Sequence, residues 1–321
     1  MTTAKPSRVL VILAFAAIYI LWGSTYLAIR LAIETLPGFL MAATRFLLAG
    51  VILFSWALVR GSKIRDSFSE WPKAFIVGGL LLLGGNGGVT WAEKYVASGL
   101  AALLVATEPL WVVILNWALS HRRPNSKVLL GVFFGLVGVA LLVGDGLGKG
   151  AHGSKLSLIG AGVVLLASLG WASGSVYANR NPIKTTTSMA SGMQMLAGGS
   201  LLLLLALGTG DYKRLNLDQA SWVSIGAFAY LTIFGSLVSF TAYSWLLSHV
   251  TTARAATYAY VNPVVAVLLG WLILNEPLSM RMLFGATIII ASVVLITTFG
   301  HDHAADDRAL HDSDCATPPC A

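Results

Sequence analysis

Two stretches decide the fold of this chain: WAEKYVASGLAALLVATEPLWVVILNW at residues 91–117 and WLLSHVTTARAATYAYVNPVVAVLLGW at residues 245–271. At an offset of 154 they align without a gap. Trp91 meets Trp245, Val96 meets Val250, Ala101 and Ala102 meet Ala255 and Ala256, Pro109 meets Pro263, and Trp117 meets Trp271. The match runs on, with Lys127 opposite Arg281 and Gly131 opposite Gly285. At an offset of 149 an earlier stretch falls on a later one, Trp22 opposite Trp171 and Arg45 opposite Gln194. The chain therefore reads as two related halves.

Both halves are made for lipid. The 321 residues are 56% hydrophobic and only 11% charged, against about 25% charged in an average soluble domain. Mean hydropathy is +0.78. A soluble fold of this length has too little interior for so much apolar surface, and disorder is excluded on the same ground. Ten apolar runs follow, near 9–33, 39–59, 74–91, 98–119, 128–146, 156–178, 188–208, 221–246, 253–274 and 282–300. Each is close to the roughly 20 residues that a spanning helix needs. Runs such as Leu201 to Leu205 do not alternate, which speaks against a barrel. Backbone groups in lipid must be paired within the segment, so the spans are predicted to be helices. The first run is too long for a signal peptide and has no small-residue cleavage site, so it is read as a retained helix.

The expectation is an all-α integral membrane protein of ten transmembrane helices, two inverted five-helix repeats around a central cavity. Its parts are a cytoplasmic N-terminus at 1–8, the first repeat at 9–147, the second at 148–300 and a polar cytoplasmic tail at 301–321. Five is odd, so the second half enters the membrane from the opposite side, as in many secondary transporters. The side that holds the N-terminus collects 13 of the 21 Lys and Arg residues and the other side six, with Arg30 and Arg45 inside spans. The positive-inside rule then puts both termini in the cytoplasm. The formal charge of +7 does not point to nucleic acid, since the basic residues lie in short clusters between apolar runs.

The stretch Leu21-Trp22-Gly23-Ser24-Thr25, with Pro37 and Arg45, resembles the opening of an EamA-type member of the drug/metabolite transporter superfamily. The block from Ala255 to Ala266, then Asn275-Glu276-Pro277-Leu278 and Gly285, resembles that family's second signature. The resemblance covers residues 9–300. It implies ten helices, a central cavity and export of amino acids or related metabolites, the nearest likeness being to amino-acid exporters, some of them for aromatic amino acids. It also implies a scaffold role for Arg45.

Several residues are candidates for transport. Pro109 and Pro263 lie near the centres of the fourth and ninth spans. Each removes a backbone donor, leaving the carbonyls of Val105 and Ala259 in need of another partner. A symmetric pair of such breaks reads as a binding site or hinge, against a fixed packing kink. Trp22, Thr25 and Tyr26 in the first span and Ser168, Trp171 and Ser175 in the sixth sit at helical spacing, each set on one face. Asn86 and Thr90 share a face in the third span, within a glycine run at 84–88 that packs closely or loosens the helix. Under the 154-residue offset Tyr243, Tyr258 and Tyr260 replace Val89, Leu104 and Ala106. Tyr243 and Tyr260 are predicted to line the cavity with Asn262, and Tyr258 to pack elsewhere.

Two charges stand at membrane depth. Glu108 and Arg45 are read either as a structural pair or as functional groups: Glu108 a proton-coupling carboxylate or amine ligand, Arg45 a carboxylate ligand. The structural role is preferred for Arg45. Arg30 and Glu34 can pair near a span end. Gly131, Gly135 and Gly138 form a small-residue surface for a neighbouring helix or a dimer partner.

No phosphate-binding loop or catalytic constellation stands in the sequence, and no cofactor or metal is expected. Cys315 and Cys320, and His301 and His303, are read as bystanders in a solvated tail. The expected protein is no enzyme. It is a secondary transporter exporting aromatic or other apolar amino acids across the bacterial inner membrane, working in the lipid bilayer as a monomer or homodimer with no nucleic acid partner. The second reading is an exporter of hydrophobic cations, drugs or other small metabolites; an intramembrane enzyme or a receptor is disfavoured.

Overall fold

The computed structural model describes residues 7–63, 68–120, 124–145, 155–250, 255, 258–276 and 278–299. Cys315, Cys320, His121, His152, His301, His303 and Pro277 lie outside the described residues, and of Tyr260 only the backbone is described. Among the described residues every regular element is helical. In chain order the main helices are α1 (Arg8–Ala32), α2 (Gly38–Val59), α3 (Phe68–Ala92), α4 (Ser98–Leu119), α5 (Ser126–Asp145), α6 (Lys155–Arg180), α7 (Thr187–Gly208), α8 (Trp222–Leu247), α9 (Tyr258–Leu274) and α10 (Met280–Phe299). Seven of these are long and apolar enough to cross a membrane; α5, α9 and α10 carry shorter apolar stretches. Apolar side chains such as Leu13, Leu48, Phe133 and Leu204 stand more than 40% exposed on the outside of the bundle, as they do where lipid replaces water.

Small residues set the packing. A Cβ on Gly78 of α3 would lie 2.7 Å from the backbone nitrogen of Gly198 on α7, so the two backbones cross in contact. Gly50 on α2 and Gly192 on α7 do the same between their own helices. The glycine surface of α5 is spent inside the molecule. Gly138 abuts Ile289, Gly135 abuts Leu110 and Ser292, and the Gly131 carbonyl accepts from Ser292 Oγ at 2.6 Å. Its partner is α10.

Helix starts are capped from far along the chain. Asp211 Oδ2 accepts from the amides of Phe39 (2.9 Å) and Leu40 (3.3 Å) at the start of α2. Glu276 accepts from the amides of Ser98 (2.8 Å) and Gly99 (3.1 Å) and from Ser98 Oγ (3.0 Å) at the start of α4. Each carboxylate meets orphan N–H groups at the positive end of a helix. Asn275 makes the second cap: its φ of 52° is the left-handed conformation that ends α9, one that Asn tolerates, and it turns Glu276 back over Gly270, where any Cβ would collide with the carboxylate.

Three helices are locally wound wide. Ala17–Leu21 in α1, Gly79–Gly87 in α3 and Leu231–Val238 in α8 are π-helical. The glycine run of α3 thus both loosens and packs: Gly87 abuts Leu202 and Gly88 abuts Ala167, within the wide turns or next to them. Wide turns misalign carbonyls and gather at functional sites. Here the wide turns of α3 and α8 reach one interior, and that of α1 ends one residue before Trp22, which also lines it.

Candidate functional site

That interior is a cavity of roughly 670 Å³ of space free of protein atoms, counting its open mouth. Helices α1, α2, α3, α4, α6, α8 and α9 all contribute to its wall. Of the sequence-predicted residues Trp22, Thr25, Tyr26, Asn86, Trp171, Asn262 and Arg45 line it.

An aromatic box forms one side. The Trp22 ring centroid lies 5.5 Å from Trp171 and 5.4 Å from Tyr258, both nearly edge-on, and 5.0 Å from Tyr243. Tyr243 and Tyr258 meet edge-on at 5.8 Å. Trp22 Nε1 donates to the Gly235 carbonyl at 3.0 Å, within the wide turn of α8. With the Asn262 amide oriented to suit its neighbours, its nitrogen donates to the carbonyls of Ile18 (3.0 Å) and Tyr19 (2.9 Å) in the wide turn of α1. Loosened backbone in two helices is therefore satisfied by wall side chains from other parts of the chain, as buried polar groups require.

Ser175, Thr90 and, of the aromatic box, Tyr243 stand one layer behind the lining residues. Ser175 Oγ and Tyr243 Oη are 2.8 Å apart, and both residues are buried. Thr90 is fully buried, its hydroxyl 3.5 Å from Asn86 Oδ1. These three hold the wall rather than form it. Tyr258, expected to pack elsewhere, lines the cavity. The signal was there: Tyr258 and Asn262 are four apart and so share a helix face, whereas Tyr260 is on another.

Glu108 and Arg45 are not a pair. Glu108 takes a hydrogen bond from the Tyr258 hydroxyl, and its other oxygen has no partner among the described residues. Arg30 likewise donates to the backbone carbonyl of Glu93. Pro109 and Pro263 differ in setting. Pro263 lies inside α9. Pro109 is the second residue of a new helical run, Glu108–Ser120, because α4 breaks into a turn at Ala106 and Thr107. Proline suits a first helical turn. The Val105 carbonyl before the break accepts from Ser168 Oγ at 3.2 Å, and Thr107 Oγ1 accepts or donates at 3.3 Å with the same hydroxyl.

Glu93 was passed over in the sequence because it falls in a short loop among ordinary charges. It is fully buried, with both carboxylate oxygens unpartnered among the described residues. Burial, and then the negative charge of Glu276, hold its carboxyl well above the usual carboxylate range; Arg30 and Arg45 oppose this only in part.

A multi-helix membrane bundle with loosened helices around a polar-and-aromatic cavity is the architecture of a transporter. The EamA-like transporter family matches residues 9–144 and 158–298, and the chain belongs to that family. It is 38% identical to the uncharacterized inner membrane transporter YedA of Escherichia coli K12, over 88% of this chain and 89% of that protein. It is 22% identical to the uncharacterized transporter YoaV of Bacillus subtilis, over 89% and 96%. The WAT1-related chloroplastic protein At3g02690 of Arabidopsis thaliana is 25% identical, over 87% of this chain and 67% of its own. One solved crystal structure superposes with a TM-score of 0.66 at 21% identity, over 91% of this chain and 99% of that one, a likeness of fold. The protein is a multi-pass membrane transporter.

Proposed function

We propose that this transporter exports aromatic and other apolar amino acids from the cytoplasm by alternating access. The observation that carries the reading is the aromatic box on the cavity wall, Trp22 against Trp171 and Tyr258. Offset or edge contact with a flat ring adds about 0.5–1.5 kcal/mol per pair beyond area burial. Two such contacts favour phenylalanine or tryptophan over alanine by about tenfold or more, since about 1.4 kcal/mol is tenfold.

In this reading α5, α9 and α10 also cross the membrane, which makes ten spans. Helices α1–α5 and α6–α10 are inverted repeats that rock about the cavity, with Pro109 and Pro263 at matched depth. The wide turns of α3 and α8, which correspond under the 154-residue offset, support it. Both termini face the cytoplasm of a bacterial cell, so a thiol reagent that cannot cross the membrane leaves Cys315 and Cys320 of intact cells unlabelled.

The test is flux in liposomes holding the purified protein. Labelled phenylalanine and tryptophan are expected to move faster than alanine, and Trp22→Ala to slow the aromatic pair selectively. Equal slowing of all three counts against recognition by the box. Flux of hydrophobic cations with none of amino acids replaces this reading by the second one, with Glu108 as the countercharge.

A further inference from the structure

Arg45 is two helical turns into α2, 2% exposed, and lines the cavity. It is the only charged residue among the described lining residues; the polar remainder, Thr25, Tyr26, Asn86, Ser168 and Asn262 among them, is neutral. Its guanidinium carbon lies 4.2 Å over the Phe46 ring centroid. That cation–π contact uses none of the guanidinium's N–H groups, which still need acceptors. The three on the buried Nε and Nη1 have none among the described residues. Leaving a buried cation without hydrogen-bond partners is costly. Glu93 is the acidic group closest in electrostatic effect, yet it makes no ion pair with Arg45 and is closed off from the cavity at 0% exposure. Glu108 gives one oxygen to Tyr258 instead.

We propose that Arg45 receives an anionic group of the cargo, a carboxylate, so that the cavity selects organic acids with an aromatic or apolar body over cations of the same shape. The proposal rests on the aromatic-cargo reading for the body of the substrate, and on Arg45 alone for the acid. The unspent donors match carboxylate oxygens in charge and in hydrogen-bonding role. Glu93, whose carboxylate oxygens have no partner among the described residues, makes no ion pair with the guanidinium and takes none of its donors. A bound carboxylate supplies the missing countercharge, and an ammonium or a drug cation adds to the charge already there.

The test measures binding of four compounds to the purified wild-type protein: phenylalanine, 3-phenylpropionate, phenylalaninamide and phenethylamine. The first two keep the carboxylate and the last two lack it. The first two are expected to bind roughly ten- to hundredfold more tightly, the range of a charge-assisted hydrogen bond. Arg45→Gln should erase that preference by weakening only the carboxylates, and Arg45→Lys should restore part of it. Equal wild-type affinity for phenylalanine and phenethylamine overturns the proposal, as does Arg45→Gln protein that melts like wild type and keeps the preference. The wild-type comparison decides even if the variants do not fold. Alanine and lactate separate the two readings: if they bind as well as phenylalanine and depend on Arg45, the aromatic reading fails while the Arg45 assignment stands.

Discussion

Trp22 Nε1 on α1 and the Gly235 carbonyl on α8 are 3.0 Å apart, a hydrogen bond across 213 residues of sequence that ties an aromatic wall to a wide turn. Trp22→Phe keeps a ring and deletes the donor. It should leave that buried carbonyl unpaired and cost about 1–3 kcal/mol of stability. A detergent melt compared with that of Trp22→Ala checks this: the two should fall together if the hydrogen bond dominates, and the alanine variant should fall further if the ring does.

The Tyr258 hydroxyl donates to Glu108 in the second layer of the site. Glu108→Gln retains an acceptor and should keep binding of a neutral amino acid within a few fold. Tyr258→Phe strands a buried carboxylate and should be the more damaging change, by about 1–3 kcal/mol in stability. Binding and melting curves on both variants test the order; a correctly folded Glu108→Gln protein without binding contradicts it.

Glu276 accepts three hydrogen bonds at the start of α4. Glu276→Ala should cost about 1–2 kcal/mol, the upper range for losing a cap. Gly270→Ala should reproduce much of that loss with Glu276 itself unchanged, because the new methyl displaces its carboxylate. Unchanged unfolding midpoints for both would contradict the cap.

A methyl group separates close crossings from open faces. Gly78→Ala drives a Cβ against the α7 backbone and should destabilise by about 1–3 kcal/mol. A Cβ on Gly162 or Gly226 meets nothing within 4 Å, so Gly162→Ala and Gly226→Ala should be neutral or slightly stabilising. Expression level and detergent melting compare the three directly.

Glu93 has a carboxyl held above its usual range by burial. The folded protein therefore holds this proton more tightly than the unfolded chain. Stability from this group is complete below the ordinary carboxylate range and is lost as pH rises toward the elevated folded value. Glu93→Gln should flatten that decline and raise the melting temperature at neutral pH. Melting across pH 4.5 to 8 on both proteins measures it; a steeper decline in the variant contradicts it.

Much of the site was legible because helical spacing is local. Trp22, Thr25 and Tyr26 share one face by period alone, and Trp171 follows by its match to Trp22; all four reach the cavity. Val105 was marked as a carbonyl needing a partner, and one arrives from Ser168. Proline's missing donor made that need visible, but not who would meet it. Glu93 and the absent Arg45–Glu108 pair were not legible. Each depends on which faces of separate helices meet, and no spacing along one helix encodes that.

The sequence by itself determined the solvent, the helical class and the family, because hydropathy and signature residues are properties of short segments summed along the chain. Only the tertiary structure decided that three helices widen around one cavity, that Asp211 and Glu276 cap helices some 170 residues away, and that Arg45 stands on the wall with donors unspent. In a low-dielectric interior every polar group must find a partner. Which one it finds is settled by helix packing, through contacts that no local pattern in the chain records.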